Sequence, residues 1–246
     1  MALAFFVAYG LMVGNVSLDS AIAAGEGACN RIDYPAAIII YESALKEFPN
    51  EPQLLWRLSR TYVTLGEASK PEKKQESFLK AESYARACIQ ANERVAKGHT
   101  GLAAALGSFA LISGNRTMVK FSHEIKRELL RAIELDTSDY VPHSILGSYY
   151  RELGNLNWVE RQLARLLYGG LPEGGYEDAE AELKKAITLA PTALRNHFEL
   201  GLLYVQWERR VEAVAEFKLA VTLPVLQASD HERLAKIKEY LAELQQ

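Results

Sequence analysis

One stretch near the C-terminus limits the fold more than any other. It runs Asn196-His197-Phe198-Glu199-Leu200-Gly201-Leu202-Leu203-Tyr204, and nine residues past Tyr204 comes Ala213-Val214-Ala215-Glu216-Phe217-Lys218-Leu219-Ala220, with Pro224 behind it. In the first segment a bulky residue leads to Leu and a small residue side by side, then to an aromatic one turn on: His197, Leu200, Gly201, Tyr204. In the second, Ala213, Phe217 and Ala220 alternate small, bulky and small at spacings of four and three. Residues three and four apart share a helix face. The pattern therefore predicts two helices, A and B, packed closely along one seam. A hairpin of this kind cannot bury its apolar surface alone, which predicts further copies stacked beside it.

The copies are present in degraded form. Helix B recurs as Ala37, Tyr41, Ala44 with Pro49; as Ala81, Ala85, Cys88; as Ile125, Leu129, Ala132; and as Ala179, Leu183, Ala186 with Pro191. Helix A recurs as Leu55, Leu58, Ser59, Tyr62; as His99, Leu102, Ala103, Leu106; and as His143, Leu146, Gly147, Tyr150. Residues 15–32 offer no obvious A partner for the first B helix, a place the apolar N-terminal stretch would fill if retained. The last small position of helix B falls at 44, 88, 132, 186 and 220, so only the final step has the 34 residues of a plain tetratricopeptide repeat (TPR) unit. The first two steps carry about ten extra residues and the third about twenty, between helix A and helix B. Around Lys70-Pro71 and Lys73-Lys74 the added length suits a loop or an extra helical turn. The periodic run Trp158–Tyr168 predicts an additional short helix, broken by the glycines of 169–175. A helix from about Asp230 to Glu243 is expected to cap the stack. The predicted fold is an all-α, TPR-like helical solenoid with long intra-repeat insertions.

The N-terminus differs in kind. Met1 to Gly14 is apolar throughout, too short for a confident spanning helix, and has the character of a signal-peptide core, with Ala21-Ile22-Ala23 as a small-residue cleavage candidate. No Lys or Arg precedes it, so a packed N-terminal helix stays open as the alternative. The expected division is residues 1–24 as signal peptide or membrane-proximal helix and 25–246 as the repeat domain. Export or membrane association through the N-terminus follows from the first reading, and a cytoplasmic location from the second. The net charge of −3 gives no bulk attraction to nucleic acid or to an anionic membrane, and Cys29 and Cys88 form no CxxC or zinc pattern.

At this level of detail the chain resembles the TPR-like regulators of microtubule dynamics and their bacterial relatives, over roughly residues 33–245. The resemblance rests on Leu54-Leu55-Trp56-Arg57-Leu58-Ser59-Arg60, and on Lys126-Arg127-Glu128 leading into Ala132-Ile133-Glu134-Leu135-Asp136. Trp158-Val159-Glu160-Arg161-Gln162-Leu163-Ala164 and Tyr176-Glu177-Asp178-Ala179 support it, as do the long insertions. It implies association with microtubules, mitochondria and membrane contacts, as for animal members, and it supplies no catalytic motif.

Candidate sites follow from repeat geometry. The inner wall of such a stack is lined by A-helix residues one and five places past the bulky anchor, which include Trp56 with Arg60 and Phe198 with Leu202; Arg151 and Arg195 border the same groove. Trp56, Arg60, Arg151, Arg195 and Phe198 are thus the candidate partner-binding residues, aromatic for stacking and basic for forked carboxylate contacts. His99, His143 and His197 share one repeat position, but stacked helices lie about 10 Å apart, whereas zinc needs its ligand nitrogens within about 2.1 Å. His123-Glu124 lacks the second histidine of HExxH. No nucleophile has an evident base, and the acidic residues are spaced like solvated helix faces. The expected function is a non-enzymatic scaffold, without metal or cofactor, that binds a protein or peptide on its concave surface. The alternative is a membrane-tethered assembly factor acting through the Trp158–Tyr168 helix.

Overall fold

The computed structural model describes residues 17–244, so the apolar run of residues 1–14 lies outside the described residues. Within them the chain forms twelve α-helices and no strand: α1 (Leu18–Asn30), α2 (Tyr34–Glu47), α3 (Pro52–Glu67), α4 (Pro71–Ala91), α5 (Ala96–Ser113), α6 (Asn115–Leu135), α7 (Tyr140–Asn155), α8 (Trp158–Tyr168), α9 (Tyr176–Leu189), α10 (Leu194–Gln206), α11 (Arg210–Ala220) and α12 (Ser229–Leu244). Five hairpins stack in order, with α1, α3, α5, α7 and α10 as A helices and α2, α4, α6, α9 and α11 as B helices. The helix α8 is inserted between α7 and α9, and α12 covers the end of the stack against α10 and α11. The protein is an all-α, TPR-like solenoid. Several helix starts are marked in the sequence: Asp33 accepts from Ala36 N–H, Glu51 from Gln53 N–H and Asp139 from Val141 N–H.

The missing first A helix is α1. Its fully buried residues are the small Ala21, Gly25 and Ala28, with Leu18, Ile22 and Cys29 packed half-buried beside them. Tyr41 of α2 fills the space: a Cβ on Gly25 would lie 2.1 Å from its ring. The candidate cleavage segment Ala21-Ile22-Ala23 falls within this helix. The same trade of volume recurs at the seam position of other hairpins. A Cβ on Gly147 would meet Leu183 at 2.5 Å, and one on Gly201 would meet Phe217 at 2.3 Å. Where α4 offers only Ala85, α3 carries Ser59. Bulk on helix B is matched by its absence on helix A, which keeps the seam close-packed.

The first two insertions do not loop out. In the plain units helix B starts three residues before its first small position, whereas α4 and α6 start ten residues before Ala81 and Ile125. The connections shrink to residues 68–70 and to Gly114 alone. The extra residues make taller hairpins. Added turns bury Phe78 against Gly66 in one and Met118, Val119 and Ser122 in the other, while Lys73 and Lys74 stay outside the core. The third insertion holds α8, which starts with a capping box between Asn157 and Glu160 and ends at Gly169 in the left-handed conformation (φ 77°).

Candidate functional site

The five A helices line a channel of about 440 Å³ along the concave side. Trp56 and Arg60 of α3 stand near its N-terminal end. Trp56 is half-buried, its Nε1 donates to Gln53 Oε1 at 3.0 Å, and the guanidinium carbons of Arg57 and Arg60 lie 4.1 and 5.1 Å from its ring centroid. Glu26 of α1 holds both arginines, at 2.8 Å from Arg57 and 2.7 Å from Arg60. Arg60 keeps 44 % of its side chain exposed. Thr61, Thr64, Thr100 and Ser144 add hydroxyls to the wall, and Ser144 Oγ is buried with no partner among the described residues.

Arg195 of α10 stands at the other end of the channel. There the chain crosses the groove: Ala228 N–H donates to Tyr34 Oη at 3.1 Å, and Ser229 Oγ to Glu67 at 3.2 Å. Glu67 of α3 also pairs with Arg233 at 3.1 Å and with Arg195 at 3.4 Å. Burial pushes the Glu67 carboxyl up, but the Arg195 and Arg233 guanidiniums more than reverse this and hold it below its usual range. Arg151 sits one step deeper, buried and bonded to Glu199 at 3.0 Å and Glu152 at 3.1 Å, beside a smaller cavity of about 80 Å³ that Arg195 also borders.

Of the five expected residues, Trp56, Arg60 and Arg195 thus share the channel, and Arg151 borders the adjoining cavity. Phe198 is elsewhere. It is buried in the core because its ring turns onto its own B helix, with its centroid 6.3 Å from that of Phe217. Sequence reasoning missed Glu26, Glu67, Asp230 and Arg233. The acidic residues are also not all solvated helix faces, as the spacing suggested.

The clearest departure from that expectation is a repeated pair. His99 Nδ1 lies 2.6 Å from Glu128, His143 Nδ1 2.6 Å from Glu182, and His197 Nδ1 2.8 Å from Glu216. Each glutamate immediately precedes the bulky B-helix residue, Leu129, Leu183 or Phe217, so each A-helix anchor is clamped to its own B helix. That repeated Glu-bulky step was a usable signal. These histidines brace hairpins, and among the described residues no group of three or more His, Cys, Asp or Glu converges as a metal site needs. Cys88 is buried, and burial pushes its thiol up to about 11, which suits packing rather than reactivity.

The model of the family "Regulator of microtubule dynamics protein 1-3" matches residues 26–245, nearly the whole described chain. The chain belongs to the regulator of microtubule dynamics family. Among curated members, regulator of microtubule dynamics protein 3 of Xenopus laevis is 26 % identical over 196 residues, covering 79 % of this chain and 42 % of its own length. Protein 1 of Bos taurus is 25 % identical over 159 residues, covering 63 % and 50 %. The chain therefore spans about half, or less, of these relatives of the regulator family. In fold it is similar to a crystal structure of a thermophilic TPR protein from Thermus thermophilus, with a TM-score of 0.62 and 21 % identity over 91 % of this chain and 98 % of that one. A tetratricopeptide repeat protein from Parabacteroides merdae gives 0.55 and 15 % over 94 % and 76 %.

Proposed function

We propose that this member of the regulator family is a non-catalytic scaffold that takes an extended peptide segment into its A-helix channel, with Trp56 and Arg60 as the first contacts. The observation that carries this reading is the Trp56–Arg60–Glu26 group in the wall of the channel. An aromatic face and a part-exposed guanidinium are held side by side before any ligand arrives, so little side-chain ordering remains to be done on binding. The channel volume falls within the roughly 300–1,000 Å³ usual for ligand pockets, and its mixed hydroxyl and apolar wall suits main-chain polar groups with small side chains. Arg195 marks the far end, where Glu67 and the Ala228–Arg233 stretch limit how far a segment can run. Arg151 and Phe198 act in this reading as support for the wall.

Selection of peptides from a random display library on the full chain tests it. Selected peptides are expected to lose about tenfold or more in affinity for Trp56→Ala, the size of a modest hot spot of about 1.4 kcal/mol, and to weaken for Arg60→Gln. Equal binding by folded variants with unchanged circular dichroism would remove the channel as the site.

A further inference from the structure

The inserted helix α8 faces the wrong way for a helix held by a core. Its apolar residues Trp158, Val159, Leu163, Leu166 and Leu167 are 51 to 80 % exposed, and Ala164 on the opposite side is its only buried residue. At 100° per residue the five fall within one half of the helix, pointing away from the body. Polar contacts hold it in this pose. Asn157 and Glu160 cap it, Asn115 of α6 donates to Glu160, and Arg161 donates to the carbonyls of Leu153 at 2.6 Å and Leu156 at 3.1 Å. The loop that follows is pinned as well, Lys126 donating to the Glu173 carbonyl at 2.7 Å. The Asn115–Glu160 bond brings the corner between α5 and α6 next to the start of α8, and there Leu111 and Ile112 are exposed too. Around this surface Arg165, Arg116 and Lys120 are exposed and, among the described residues, have no carboxylate at ion-pair distance.

Size and charge choose the occupant. Eleven residues make a helix about 16 Å long, too short to cross a hydrocarbon core of about 30 Å. One face of such a helix also offers well under the roughly 800 Å² per partner that a stable protein interface buries. A second copy of the chain, docked about a two-fold axis, would set the same cations against one another. A surface of anionic headgroups over acyl chains complements both features: the cations meet the headgroups, Trp158 sits at the boundary, and the leucines enter below it.

We propose that α8 and the α5–α6 corner form a docking face for an anionic lipid bilayer, with α8 lying in the plane of the interface. The proposal stands independently of the peptide channel. Sedimentation of the full chain with vesicles tests it, comparing phosphatidylcholine vesicles that contain phosphatidylserine with vesicles of phosphatidylcholine alone. The chain is expected to bind the former, and added salt is expected to weaken the binding. The double variant Leu163→Glu/Leu166→Glu, altered only at exposed positions and checked by circular dichroism, is expected to bind about tenfold more weakly or worse. The blue shift of fluorescence on binding is expected to be smaller in Trp158→Phe than in the wild type. Wild-type binding by the double variant overturns the proposal, as does equal binding to both vesicle types or none to either. A concentration-dependent dimer dissolved by the double variant, without vesicle binding, assigns the face to a second copy and overturns it equally.

Discussion

Raising the pH from about 6 to about 9 is predicted to loosen the repeat stack through two buried histidines. Both ring nitrogens of His99 face acceptors, Glu128 at 2.6 Å and the Glu93 carbonyl at 2.8 Å. His197 repeats the arrangement, with Glu216 at 2.8 Å and the Pro191 carbonyl at 3.1 Å. A neutral imidazole has one N–H, so only the cation donates to both. Burial opposes that charge, but the glutamate and carbonyl bonds outweigh it and hold both histidines above their ordinary value. A raised folded pKa gives stability that is complete below the unfolded value, about 6.5, and lost as pH rises through the folded value. Glu128 limits the acid side. Its bond to His99 is the first cause holding it below its ordinary value, so its contribution is present above about 4.3 and lost as pH falls further.

Each deprotonation turns a charge-assisted bond into a lone pair facing an acceptor, a loss of about 1.5–3 kcal/mol per histidine. Urea unfolding followed by far-ultraviolet circular dichroism at stepped pH measures it in the wild type and in His99→Gln/His197→Gln. The wild type should lose this increment across the window relative to the variant. Parallel profiles for the two proteins would refute the reasoning.

Three shorter predictions join this one. Gly201→Ala adds a Cβ 2.3 Å from Phe217, which is itself stacked 5.4 Å from Tyr240; overpacking of about 1–3 kcal/mol should exceed the roughly 1 kcal/mol gain in helix propensity. In a Phe217→Leu background the same change should cost less, and additivity in a double-mutant cycle of unfolding free energies would count against it. Glu67→Gln leaves Arg195 and Arg233 without their shared counter-charge and should destabilise by about 3 kcal/mol. Hydrogen exchange should then speed up in α12 and at Ala228, whereas unchanged exchange there would show that the crossing segment is held by something else.

The seams were legible in the sequence because they depend on residue volume at fixed spacing. Leu183 and Ala179 meet Gly147 whatever lies between the two helices. The first A helix was illegible for the same reason: Gly25 yields its volume to Tyr41, and the fully buried positions of α1 are the small Ala21, Gly25 and Ala28. The tall hairpins of α3–α4 and α5–α6 were half legible. Lys73 and Lys74 are polar enough for a loop, and only Phe78, Met118 and Val119 reveal that the added turns have a buried side. Within the site, Trp56, Arg60 and Arg195 followed from their repeat positions. Glu67 did not, because its partners Arg195 and Arg233 are 128 and 166 residues away and meet it only after the whole stack has curled. The histidine clamps were hidden by unequal separations of 29, 39 and 19 residues, which differ by the insertions themselves.

The bond from Ala228 to Tyr34 and the ion pairs around Glu67 tie the last hairpin to the first two. Open repeat arrays gain or lose a unit at little cost, since each unit touches only its neighbours. Here one unit more or fewer would displace the two ends from each other and part Glu67 from both Arg195 and Arg233. Among the described residues five hairpins bring α12 back to α2 and α3, so melting should be a single all-or-none event rather than a progressive peeling from either end.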